Sequence, residues 1–343
     1  MWRWRKPPVP CDNCSQRRKG CGKERSVTDE QRQADLQLLA ELAAGEHAAI
    51  VQYMIHRFYS GEGEIGCEIE EVARREMVHW KWLNERIVQL GGSPALERGE
   101  MMIGGPSLAD MIRKDVELEE HCIQEYTAAI ERTSNEVLKR QFRMHLADEQ
   151  RHRETFMELL REAEELQDSG EAPHTPTEQE ESFIRMLNGN VGHEYGAVLQ
   201  YLHQSHATKD IEVSRATLNA AIDEMKHISW FADAVVELGG EPVMEPAEVV
   251  RADTDEGRMQ ANIQDEAHAR QMYAEQIARF QEAGREDLAE LVAFVRDQET
   301  FHLEDFQHLL EQVKEAGDIQ ASEEEVKKLR LTVGSLFGEP QGH

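Results

Sequence analysis

Long apolar runs are missing from this 343-residue chain. No stretch of about 18 apolar residues occurs, so nothing in it reads as a membrane span. The opening MWRWRKPPVP carries charge without an apolar core, which excludes a secretory signal. Basic residues are outnumbered: 38 Lys and Arg stand against 67 Asp and Glu, for a formal net charge of −29. That balance argues against nucleic acid as a partner, because phosphate backbones are held by cationic side chains. It suits a protein that gathers cations, and equally one kept in solution by its charge. Cysteine is scarce. Five thiols, an odd number in an acidic chain, point to a reducing compartment and hence the cytoplasm. Clusters of turn residues are few, while Ala, Glu, Leu, Arg, Gln and Met abound, so the expected class is all-α.

What is present is a repeat. IVQY at 50–53 returns as VLQY at 198–201, GGSP at 91–94 as GGEP at 239–242, and EMVH at 76–79 as EMKH at 224–227, each 148 residues on. The chain therefore divides into a basic Cys-containing arm (1–27), a first unit (28–165), a linker rich in Pro, Gly and acid (166–177), a second unit (178–316) and a tail (317–343). Each unit breaks into four helical stretches, near 29–60, 66–90, 107–133 and 135–165, then near 178–206, 212–238, 256–283 and 285–316. The second and third stretches of each unit are joined by a long connection beginning at GGSP or GGEP. Short, long, short is the connectivity of a four-helix bundle with one crossover.

Periodicity marks the inward faces. Leu39, Leu42, Glu46, Ile50 and Tyr53 share one stripe of the first helix, and Ile69, Val72, Glu76, His79 and Leu83 one of the second. The second unit repeats this with Leu187, Val191, Glu194, Val198 and Tyr201, then Glu224, His227, Phe231 and Val235. The charged residues interrupt the apolar stripe; they do not decorate the outer face. The first unit offers Glu46, Glu76, His79, Glu119, Glu149 and His152, and the second Glu194, Glu224, His227, Glu266, Glu299 and His302. Residues at i and i+3 of a helix point the same way. Four inward carboxylates would repel one another and each would cost several kcal/mol to bury unpaired. Two divalent cations would neutralise them, and mixed oxygen and imidazole donors suit iron or manganese. One Glu from each of two helices, with Glu-x-x-His from each of the other two, is the pattern of ferritin-like dimetal proteins. A lone Glu-x-x-His is usually an exposed pair, but four of them on inward stripes are not explained by chance.

The segments NVGHEYGAVLQYLHQ and AAIDEMKHISWFADAVVELGGEPV resemble bacterioferritin, a haem-containing ferritin, as do GEHAAIVQY, EMVHWKWLNERIVQLGGSP and LADEQRH in the first unit. The resemblance implies two ferritin-like four-helix bundles in tandem, packed as a covalent pseudo-dimer, each with a di-iron centre that oxidises Fe(II) with O2 or H2O2. Rubrerythrin-type sites carry a further Glu one turn after the third-helix ligand, where Cys122 and Ala269 stand here. A peroxide-reducing di-iron or di-manganese oxidoreductase of that type is the alternative, and a non-catalytic metal-binding adaptor a second. In the resembled family a tyrosine at the positions of Tyr53 and Tyr201 gives an electron to the site; a buried core tyrosine bonded to a carboxylate is the other reading. Tyr126 and Tyr273 are expected to serve core packing. Met77 and Met225 fall at the family's haem-ligating position, though methionine there also fills core gaps. The family has Asp before each Glu-x-x-His. Asp148 and Asp223 fit, while Arg75 and Gln298 hold the other two places.

The two ends carry separate signals. Cys11, Cys14 and Cys21 in CDNCSQRRKGC could grip a metal or an iron–sulfur cluster, or stay as unpaired thiols. At the other end, Leu331, Thr332, Val333, Gly334, Ser335 and Leu336 closely resemble the cargo-loading peptides that direct enzymes into encapsulin nanocompartments. Alternating apolar residues in an extended tail suit docking into a partner's grooves, and an unanchored tail is the other reading. The resemblance implies an encapsulin shell protein as partner. A homo-oligomer is left open by the sequence.

Overall fold

The structure, a computed structural model, describes residues 28–61, 63–105, 107–166 and 174–316. Cys11, Cys14, Cys21 and the 331–336 segment lie outside them. Eight helices and no strand occur among the described residues: α1 (Asp29–Ser60), α2 (Glu64–Gln89), α3 (Leu108–Arg132), α4 (Glu136–Leu166), α5 (Glu178–Ala207), α6 (Ile211–Glu237), α7 (Asp255–Glu282) and α8 (Glu286–Ala316). Local chemistry sets the ends. Thr28 and Thr177 open α1 and α5 with capping boxes, exchanging bonds with Gln31 and Glu180. Ser107, Asp210 and Thr254 cap α3, α6 and α7. Gly61 closes α1 at φ 69°, a conformation that costs a residue with a Cβ about 1–2 kcal/mol.

Two four-helix bundles result. In each, two helical hairpins pack together, and a long crossover joins them. The crossover runs against the first helix of its bundle and is pinned the same way twice. Gln52 Oε1 accepts from the Met102 amide at 2.7 Å, and Gln200 Oε1 from the Val250 amide at 2.8 Å. Backbone bonds from Gly99 to Ala44 (2.8 Å) and from Ala247 to Gly192 (2.7 Å) add to this. The approach is close: a Cβ on Gly192 would sit 2.9 Å from the Glu245 carbonyl oxygen.

The sequence stripe understates how much of α1 and α5 is covered. Every residue from Glu194 to His206 is buried. A helix buried all round has a second partner beyond its own bundle. That partner is the other bundle, since α1 packs against α6 and α2 against α5. The reciprocity is that of a two-fold interface. His47 and Tyr195 occupy the same place in the two repeats, 148 residues apart, and touch each other: the Tyr195 hydroxyl lies 2.5 Å from His47 Nε2. Arg57 pairs with Asp233, and Arg98 with Glu245 at 2.6 Å, across the same seam. One apolar cluster, from Leu38 to Val313, runs through both bundles.

The copies differ deep inside. In the first, His56 and Asp115 are fully buried, with His56 Nδ1 2.7 Å from Asp115 Oδ1 and His56 Nε2 2.8 Å from the Ile103 carbonyl. In the second, Gln204 and Asn262 fill the same places and exchange two 2.8 Å bonds. Burial pushes the Asp115 carboxyl up, while His56 and Gln52 pull it back. Replacing His56 with Leu should therefore cost about 3–5 kcal/mol, because Asp115 is left buried without its main partner. The double change His56→Gln, Asp115→Asn should stay within about 1 kcal/mol of the parent. Urea unfolding of the three proteins checks this, and equal losses in both variants would contradict it.

Candidate metal centre

All twelve side chains that the sequence marked are buried, and each bundle gathers its six into one centre. In the first bundle, Glu46, Glu76, His79 and Glu149 form one group whose ligand atoms lie within 4.8 Å of one another; Glu76, Glu119, Glu149 and His152 form another. Glu76 and Glu149 belong to both groups. In the second bundle the pairs of groups are Glu194, Glu224, His227, Glu299 and Glu224, Glu266, Glu299, His302, sharing Glu224 and Glu299.

The distances show how the shared carboxylates are turned. Glu76 faces His79 Nδ1 with Oε2 at 2.8 Å and His152 Nδ1 with Oε1 at 2.6 Å. Glu149 does the reverse, with Oε1 3.1 Å from His79 and Oε2 3.6 Å from His152. Glu224 and Glu299 repeat both arrangements around His227 and His302, at 2.6 to 3.2 Å. Each shared carboxylate thus offers one oxygen to each of two positions. Glu46 with His79, and Glu119 with His152, complete the two positions of the first bundle; Glu194 with His227, and Glu266 with His302, complete those of the second.

Buried polar atoms normally find hydrogen-bond partners. Here both oxygens of Glu76, Glu149 and Glu224 do not, and neither do Glu46 Oε2, Glu119 Oε2, Glu299 Oε1 or the Nδ1 atoms of His79, His152 and His227. Their lone pairs converge without hydrogen-bonding geometry among themselves. That is the arrangement of ligands around a pair of cations, and the donor set of four carboxylates and two imidazoles fits two divalent ions in charge and in atom type. Burial pushes the thiol of Cys122 well up, and its sulfur belongs to none of the groups of converging ligand atoms.

The centres are held in shape from outside. The Tyr53 hydroxyl donates to Glu119 at 2.7 Å, and Tyr201 to Glu266 at 2.6 Å. Tyr126 and Tyr273, expected to be packing residues only, instead donate to Glu46 and Glu194. Their spacing of seven from the third-helix Glu was the available signal, since it puts them two turns along the same inward face. His145 escaped the sequence reading. It has no twin, because Val295 fills its place four residues before Glu299. Its Nδ1 lies 3.0 Å from the Tyr126 hydroxyl, and its ring stacks on His79 with centroids 4.1 Å apart and planes 16° apart. Glu46, His79 and His145 also form a group whose ligand atoms lie within 4.8 Å of one another, but the near-parallel stacking of the two rings disfavours one ion held by both. His145 braces Tyr126, and burial keeps it neutral.

The outer nitrogens of three of the four candidate histidines face a polar side chain of the opposite helix. His79 on α2 meets Asp148 of α4 (Nε2 to Oδ2, 3.2 Å), and His302 on α8 meets Asp223 of α6 (3.5 Å). His227 meets Gln298 Oε1 at 3.0 Å, so an amide stands where the sequence pattern leads one to look for Asp. A cavity of about 400 Å³ is lined in part by Asp223, Asp305 and, of the second centre, His302. Met77 and Met225 are both half-buried, and Met225 packs against the shared apolar cluster.

A profile of the ferritin-like domain matches residues 36–167 and again 184–316. The chain belongs to the ferritin-like family. It is similar to bacterioferritin from Desulfovibrio desulfuricans, 27% identical over 139 residues, which is 39% of this chain and 78% of that protein. Among solved structures, it is similar to an X-ray structure of the same organism's bacterioferritin, described as showing its diiron site in different catalytic states; identity is 24%, the TM-score 0.40, and coverage 44% of this chain and 88% of that one. No described helix is long and apolar enough to cross a membrane.

Without a bound cation, the surroundings of the histidines in these two centres favour the protonated imidazole. Burial alone would lower the histidines, but the surrounding glutamates outweigh it, holding His152 up to about 9, His302 to about 10 and His227 to about 12. Glu224 is in turn pulled down to about 2 by its histidines against the opposing effect of burial. An imidazole raised above neutrality is protonated at neutral pH, and a cation must displace that proton. Metal affinity should therefore rise from about pH 6 to about pH 8. Titration calorimetry in buffers of different ionisation enthalpy should register net proton release, and a pH-independent affinity would contradict the protonated resting state.

Proposed function

We propose that each bundle is a ferroxidase, oxidising Fe(II) to Fe(III) at a di-iron centre for iron storage or detoxification. The observation that carries this reading is the doubled set of shared carboxylates, each presenting one oxygen to each of two positions. Two Fe(II) ions release two electrons, which together with two protons convert O2 to H2O2 or H2O2 to water. Glu76 and Glu149, or Glu224 and Glu299, would hold the two ions as a pair. The four remaining Glu and the four His complete their surroundings. Tyr53 and Tyr201 hold Glu119 and Glu266 in place, and by resemblance to bacterioferritin they supply an electron. Cys122 and Ala269 stand where rubrerythrin-type sites carry another Glu, which favours the ferroxidase over a peroxide-reducing enzyme. Haem held by Met77 and Met225 rests on the family position alone, as does a metal or iron–sulfur role for Cys11, Cys14 and Cys21 on the Cys-x-x-Cys spacing.

We further propose that the protein is cytoplasmic cargo of an encapsulin shell, docked through Leu331–Leu336. A shell would supply the closed volume for mineral, so two fused bundles need not close a cage of their own.

Two outcomes are expected. The variant Glu76→Ala, Glu224→Ala should keep its far-UV circular dichroism yet lose stopped-flow Fe(II) oxidation to background with either O2 or H2O2. Unchanged turnover would refute the assignment, and turnover with H2O2 alone in the parent would favour the rubrerythrin-type reading. Co-expressed with the shell protein, the parent should co-purify inside assembled particles, and a chain lacking residues 331–343 should not. Retention of the shortened chain would rule out the docking role.

A further inference from the structure

The two centres have the same ligands but different supports. In the first bundle, the Glu46–His79 position is backed by a carboxylate: Asp148 turns Oδ2 to His79 and Oδ1 to Arg151. The matching support for His152 would come from the residue before Glu76. That residue is Arg75, a guanidinium with no acceptor to offer. In the second bundle the carboxylate is on the other side. Asp223 turns Oδ2 to His302 at 3.5 Å and Oδ1 to Lys226 at 2.6 Å, while His227 has the neutral Gln298. The two aspartates divide their oxygens between a ligand histidine and a cation three residues on in the same way, but they serve opposite ends of their centres.

We infer that the two centres rank their metal positions in opposite order: Glu46–His79 is the tighter position in the first bundle, and Glu266–His302 in the second. A carboxylate on the far nitrogen fixes the tautomer that leaves Nδ1 free to ligate and makes that nitrogen more basic; losing such a partner costs about 10–100-fold in metal affinity. The contrast is larger in the first bundle, where the residue before Glu76 is an exposed Arg75 that offers His152 no acceptor at all. It is smaller in the second, where His227 has Gln298 at hydrogen-bond distance, 3.0 Å, while Asp223 is more exposed than Asp148 and faces His302 only at an ion-pair distance of 3.5 Å.

This inference rests on the dimetal reading above, and the test separates the two. Metal-free full-length protein is given about one Mn(II) per bundle, crystallised, and the anomalous signal refined at all four positions. The expected result is an affinity preference of about tenfold or more for Glu46–His79 over Glu119–His152, with the order reversed in the second bundle. Arg75→Asp, a change at an exposed position, should raise occupancy at Glu119–His152, and Asp148→Gln should lower it at Glu46–His79. Equal occupancy within either bundle, the same position leading in both, or variants that leave the order unchanged would overturn the inference while the dimetal centres stand. Bundles that take up no Mn(II) would overturn both.

Discussion

Eight carboxylates, four per bundle, sit in the two cores with no more than 3% of their surface exposed. The rest of the structure depends on what neutralises them. Burying one unpaired carboxylate costs several kcal/mol, and a folded domain is stable by only about 5–15 kcal/mol in total. Eight such groups would exceed that margin. Protonated histidines and tyrosine hydroxyls offset part of the cost, and the orphaned oxygens of Glu76, Glu149 and Glu224 show where they do not. Divalent cations would supply the remainder, which is why metal loading and the stability of this core are one question.

Keeping so polar a centre requires rigid surroundings. Long helices give that rigidity, since a ligand in the middle of a turn cannot shift without its neighbours. Tyrosines from the first and third helices of each bundle each reach across to a carboxylate of the other, Tyr53 to Glu119 and Tyr126 to Glu46. The crossovers then tie the first helix to the rest through Gln52 and Gln200. On the far side, α1 and α5 are covered by the other bundle, so the helices that carry Glu46 and Glu194 are packed from both directions.

The helices and ligands were legible because their signal repeats. A period of three and four, broken by charge at fixed places and then copied 148 residues on, gives helix ends within about two residues of those observed and all six side chains that converge in each candidate centre. What was not legible lacks that redundancy. His145 occurs once, so nothing in the second unit points to it. The role of Tyr126 depends on which oxygen its hydroxyl reaches, and spacing fixes a face but not a partner. The contact between His47 and Tyr195 depends on how two bundles meet, and no local pattern encodes that.

The same comparison shows what fusion permits. In a dimer of identical chains, any change beside one centre is made beside both. Here the repeats keep the ligands and diverge around them: Asp115 against Asn262, His56 against Gln204, His145 against Val295, Arg75 against Asp223, Asp148 against Gln298. Three of these five substitutions touch or adjoin a ligand histidine, and the other two exchange a titratable pair for a neutral one in the layer beneath. The ligand set is constrained by charge, because removing one carboxylate would unbalance two cations. Its surroundings are constrained only to supply an acceptor or fill a volume, and either Asp or Gln, His or Val, meets one of those demands. Covalent linkage therefore turns one two-fold design into two candidate centres of equal composition and different surroundings.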